Sequence, residues 1–86
     1  MYLVTMGKPG YVQFAITPQG HAAIGLTEAG LVRLLAPEKD GSEWRTLREW
    51  HTSAYSHTDL LVCLGGIDEP ARAEDLLATL PPETLG

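Results

Sequence analysis

Residues 60–64 (LLVCL) are an unbroken apolar run of strand length, bounded by Asp59 on one side and by Gly65 and Gly66 on the other. A run of this kind suits a strand covered on both faces. The two glycines allow a sharp turn, and a capped helix is predicted directly behind it. Asp68 is placed to cap that helix, Pro70 is tolerated in its first turn, and losing the cap is expected to cost about 1 kcal/mol. Ala73, Leu76, Leu77 and Leu80 fall at i, i+3, i+4 and i+7, forming one apolar stripe, with Glu69, Arg72, Glu74 and Asp75 on the remaining faces. Pro81 and Pro82 end it. The predicted helix therefore covers about residues 69–80, with residues 81–86 a short tail. Residues 1–80 form a single domain, since 86 residues make one small core.

The upstream chain reads as short strands. Residues 1–6 (MYLVTM) are apolar and β-rich, and Lys8, Pro9 and Gly10 make a turn. From Tyr11 to Thr17 the pattern alternates, with Tyr11, Gln13, Ala15 and Thr17 on one side and Val12, Phe14 and Ile16 on the other. Pro18, Gln19 and Gly20 stop this strand, and a hairpin with the first strand is the economical arrangement. A further short strand is expected over residues 21–25. Residues 26–36 fit either a helix opening at Thr27 and Glu28 or a strand after Gly30, and the strand over residues 31–35 is preferred. Asp40 and Gly41 form a hairpin dipeptide, so a returning strand is assigned to residues 43–50, although Trp44, Leu47 and Trp50 also have helical spacing. In that strand Trp44, Thr46, Arg48 and Trp50 would share a face. Residues 51–59 are polar and read as a loop. Five or six short strands and one C-terminal helix suit a small barrel or closed sheet with a helix over one end.

The charge narrows the partners. A formal net charge of −5 opposes autonomous nucleic-acid binding, which draws its affinity from Lys and Arg on phosphates. From Ile67 onward five acids (Asp68, Glu69, Glu74, Asp75, Glu83) face Arg72 alone, 1 − 5 = −4, nearly the whole net charge. Such a helix face is either simply solvated or a contact for a basic partner. No apolar run approaches the roughly 20 residues that span a bilayer, and the N-terminus lacks a signal-peptide pattern, so a cytoplasmic location is expected. The single Cys63 is expected to be a small buried hydrophobe.

No constellation specifies a chemistry. His51, His57 and Cys63 lack the tight ligand pair and fourth ligand of a zinc site. Ser53, Ser56, His57 and Asp59 are triad residue types without a nucleophile elbow, and the glycines match no phosphate loop. No catalytic residue, metal or cofactor is assigned. Trp44 and Trp50, on an element with Arg45 and Arg48, either fill the core or form an interface.

Residues 44–51 (WRTLREWH), a polar loop, and residues 60–76 (LLVCLGGIDEPARAEDL) in that order resemble the N-terminal domain of the RimM family of ribosome maturation factors. There an apolar strand ending in Gly, Ile or Val, and Asp precedes a short helix with Ala and Leu. Residues 31–35 with their hairpin match the same plan, and residues 6–10 (MGKPG) resemble the family's opening turn. The resemblance implies a mainly β fold, a six-stranded antiparallel β-barrel of the translation-protein type. It also implies a role in small ribosomal subunit assembly by binding ribosomal protein or rRNA, with Lys8, Tyr11, Arg45 and Arg48 as contacts. The alternative from the charge pattern is a small acidic inhibitor or adaptor that presents Glu69, Glu74 and Asp75 to a basic protein. Both are non-enzymatic binding modules.

Overall fold

A computed structural model describes residues 4–40, 43–65 and 72–80. Five strands, β1 (Val4–Thr5), β2 (Tyr11–Ile16), β3 (Ala23–Thr27), β4 (Leu31–Pro37) and β5 (Trp44–His51), precede two helices, α1 (His57–Gly65) and α2 (Ala73–Thr79). All strand pairs are antiparallel and each strand lies beside its chain neighbour, in the order β1-β2-β3-β4-β5.

The meander is set by its turns. Gly10, Gly20 and Gly30 hold φ of 89°, 72° and 82°, in the left-handed region where a Cβ is penalised. Two of the turns use the same device. The amides of Gly20 and Gly30 donate to the carbonyls of Thr17 and Thr27, and each threonine hydroxyl accepts from the residue after the glycine, His21 N–H at 3.1 Å and Leu31 N–H at 3.1 Å. Thr17 also accepts from Ala22 N–H and is buried, so its hydroxyl satisfies amides that the turn would otherwise leave without partners.

The strand assignments for residues 31–35 and 43–50 agree with β4 and β5, and residues 21–25 overlap β3. Three expectations are corrected. First, the sheet is open, with β1 and β5 each bonded to a single neighbour; the six-stranded closed barrel is not formed by the described residues.

Second, residues 60–64 are helical. Only Val62 in that run is β-branched, and leucine is a strong helix former. The deciding signal lies in front of it, in residues assigned to a loop. Asp59 N–H donates to Ser56 Oγ at 3.1 Å and Ser56 N–H to Asp59 Oδ2 at 3.4 Å, a reciprocal capping box that starts α1. Burial follows a helical period, with His57, Leu60 and Leu64 inside. Cys63 is consequently exposed rather than buried, and Val62 is 68% exposed.

Third, the predicted C-terminal helix is seen as the seven residues of α2, with Ala73 and Leu76 buried and Leu77 and Leu80 packed on the core. Arg72 precedes it without a side-chain cap. Asp68, Glu69 and Pro70 lie outside the described residues.

Two bulges decide what each face of the sheet carries. Register shifts occur in β2 between Tyr11 and Gln13 and in β5 opposite Leu34 and Leu35. An extra residue reverses the side-chain alternation beyond it. Tyr11 thus joins Phe14 instead of Ala15, and Trp44 and Trp50 lie on opposite faces instead of one. The main core is Ala15, Ile24, Val32, Leu34, Ala36 and Trp50 under Leu60, Leu64, Ala73 and Leu76 of the helices. On the other face Phe14, Ala23 and Leu35 are buried beneath Tyr11, Ile16 and Trp44, and no described helix residue joins them. Both tryptophans therefore fill cores, Trp50 completely and Trp44 in part.

Candidate functional site

The helix-free face, the one that no described helix residue covers, concentrates the aromatic groups. Tyr11 meets Phe14 edge-on at 5.3 Å between centroids, and Phe14 meets Trp44 edge-on at 6.0 Å, the T-shaped geometry that ring quadrupoles favour. Room for Tyr11 exists because residue 25 is glycine, whose ideal Cβ would lie 2.5 Å from the Tyr11 ring. Cations border the row. Lys8 Nζ stands 5.6 Å from the Phe14 centroid and Arg33 Cζ 6.0 Å from that of Tyr11, within cation–π reach. Arg33 also donates through Nε to Glu49. Contact with the Tyr11 side chain, and then with Glu49, holds its guanidinium above the ordinary arginine value, so it stays charged. Phe14 is closed off from solvent, Tyr11 and Trp44 are half-buried, and at the edge Val4 and Met6 are 44% and 47% exposed.

The other predicted contact residues lie elsewhere. Arg45 Nη2 donates to Glu74 Oε1 at 2.8 Å, so a cation assigned to one predicted interface is bound to an acid assigned to its rival. Arg48 Cζ lies 5.8 Å from the Trp50 centroid on the helix side. Asp75 is exposed on α2, and Glu69 is outside the described residues. Of the four contacts that the resemblance implies, Lys8 and Tyr11 share one surface, through Phe14, whereas Arg45 and Arg48 stand on the helix side. Arg33 and Phe14 were not singled out in the sequence; the signal for Arg33 is a charge in the middle of an otherwise apolar strand.

Two open clefts meet at Pro37. One of about 700 Å³ is lined by Pro37, Glu38, Lys39, Asp40 and Arg45. Another of about 200 Å³ is lined by His21, Ala36, Pro37, Arg72 and Glu74. The described residues lining them include no nucleophile with an adjacent base. Inside the main core, His57 Nε2 and Trp50 Nε1 are buried without hydrogen-bond partners among the described residues, and burial pushes the His57 pKa down. Among the described residues no group of three or more His, Cys, Asp or Glu could hold a metal ion, and no helix is long and apolar enough to cross a membrane.

These features define a small mainly β module, five antiparallel strands in one open sheet with two helices packed on one face. No family model, curated protein or solved structure matches the chain.

Proposed function

We propose that the chain is a non-enzymatic protein-binding module whose contact surface is the helix-free face around Tyr11, Phe14 and Trp44. The observation that carries this reading is the aromatic row bordered by Lys8 and Arg33 and continued by the exposed Val4 and Met6. Aromatic and arginine side chains are enriched where proteins bind one another, and half-buried rings lose little further freedom on binding. The partner is a protein segment with apolar and acidic side chains, matched to the rings and to Lys8. V4D/M6D changes two exposed positions, leaves the core intact and should abolish capture of that partner from native lysate. Retention of the same partner by this folded variant would remove the reading.

Asp75 and Glu74 on α2 support a second reading, an acidic adaptor for a basic protein. Glu74 already serves Arg45, which leaves a smaller acidic surface than the sequence promises. Loss of a partner in E74K/D75K but not in V4D/M6D selects it. Assistance to small-subunit assembly, through ribosomal protein or rRNA, is the narrower form that the RimM resemblance suggests for either surface. Its support is the resemblance together with Lys8 and Tyr11 on one face, while the apolar strand of that motif is α1 here. Absence of the chain from small-subunit precursors sedimented at low salt would eliminate it.

A further inference from the structure

Among the described residues β1 ends one side of the sheet with Val4–Thr5. β5 ends the other with eight residues, about 27 Å of strand. Among the described residues the outer side of β5 is engaged only at its end, where the His51 carbonyl accepts from the Ala54 and Tyr55 amides; its remaining outward amides and carbonyls take no backbone hydrogen bond from another element. Those amides and carbonyls are satisfied either by water or by another strand.

The bulge restricts which strand can pair there. Residues directly opposed across an antiparallel ladder put their side chains on the same face. The register with β4 sets Trp44, Thr46, Glu49 and His51 opposite Pro37, Leu35, Arg33 and Leu31, on the helix-free face. Arg45, Arg48 and Trp50 stand opposite Ala36, Leu34 and Val32 on the helix side, and the bulged Leu47 packs on the helix-side core. A regular eight-residue strand alternates from end to end and cannot match itself face for face in this way. With Leu47 and Arg48 on one face, β5 becomes symmetric about the peptide between them.

We propose that β5 pairs with β5 of a second copy of this chain, antiparallel, with the two-fold axis at the peptide joining Leu47 and Arg48. The two sheets then run on as one, with the helices of both copies on the same side. The opposed pairs are Leu47 with Arg48, Thr46 with Glu49, Arg45 with Trp50 and Trp44 with His51, face for face and with no like charges opposed. Neighbouring registers fail. Sliding by one residue sets Arg48 against Arg48 in one direction, and in the other sets Arg45 opposite Glu49 from the wrong face. Sliding by two sets Arg45 against Arg48, or Arg48 opposite Glu49 from the wrong face. Charges and a bulge on an edge discourage foreign strands; on β5 they leave one self-complementary register.

The test is sedimentation of the full chain across a concentration series up to about 0.5 mM, where an edge-strand dimer of micromolar affinity is populated. Thr46 is exposed and by symmetry meets the partner's Glu49 twice per dimer. Thr46→Glu creates two like-charge contacts and should raise the dimer dissociation constant about tenfold or more, whereas Thr46→Lys should leave it equal or lower. A covalent readout covers the case in which the glutamate variant misfolds. In a Cys63→Ser background, T46C/E49C should form an inter-chain disulfide on oxidation, while T46C alone and E49C alone should not. A monomer over the whole range, a dimer indifferent to Thr46→Glu, or a single-cysteine variant that cross-links as readily as the double would each overturn the proposal.

Discussion

The Tyr11 ring occupies the space where residue 25 would carry its Cβ: an ideal Cβ on Gly25 lies 2.5 Å from both Cδ1 and Cε1 of Tyr11 and 3.2 Å from Cδ2 of Phe14. Gly25→Ala must displace the ring or the strand, at an expected cost of about 1–3 kcal/mol. In a Tyr11→Ala background the same substitution should cost much less, because the obstructing ring is gone. Urea unfolding of the four proteins in the cycle measures the coupling, and equal costs in both backgrounds would show that the strand, not the ring, resists the methyl group.

His57 makes stability depend on pH. Its folded pKa is depressed by burial, so the unfolded chain takes up a proton at a higher pH than the folded one. The contribution is fully present above the unfolded value of about 6.5 and is lost as pH falls through the lower folded pKa. Urea midpoints should therefore decline from pH 7.5 to pH 5, and His57→Leu should flatten that decline. An unchanged slope in the variant would assign the acid sensitivity to other groups.

The reciprocal bonds between Ser56 and Asp59 begin α1, and α1 supplies Leu60 and Leu64 to the main core. Ser56→Ala should cost about 0.5–2 kcal/mol, and Ser56→Gly only a few tenths. Thermal unfolding followed at a helix-sensitive wavelength compares the two. Equal losses would mean that the hydroxyl does not cap the helix.

The two tryptophans report on opposite faces. Trp50 is closed off against Tyr55, centroid to centroid 6.4 Å, whereas Trp44 is half-buried. Trp44→Phe should leave emission that is blue-shifted and poorly quenched by acrylamide, and Trp50→Phe should leave the redder, more quenchable signal. Trp50→Ala should cost about 3–5 kcal/mol because it opens a cavity in the main core.

Much of the sheet was legible from local signals. Alternation located β2, and the Asp40-Gly41 dipeptide paired β4 with β5. What the sequence concealed has two physical sources. The run at residues 60–64 is equally apolar in either state, and the box formed by Ser56 and Asp59, not the run, selects helix. The bulges are invisible to a period-two reading because an extra residue is defined only against its partner strand. They moved Tyr11 next to Phe14 and set the two tryptophans on opposite faces, so the aromatic row of the candidate surface could not be assembled from residue spacing. The number of strands suggests closure into a barrel, but nothing among the described residues brings β1 to β5.

The consecutive order of the strands also has a consequence during synthesis. Every hairpin closes over a short loop, a local topology associated with fast folding, so β1 to β4 can assemble while the rest of the chain is still being made. Among the described residues their main apolar face receives its helical cover from Leu60, Leu64, Ala73 and Leu76, with Leu61, Leu77 and Leu80 beside them, all of which follow the sheet in the chain. Until then Ile24, Val32 and Leu34 remain wet, a transient exposure of the kind that drives aggregation of unfinished chains. The nascent chain is therefore most vulnerable in the interval between completing its sheet and delivering its helices.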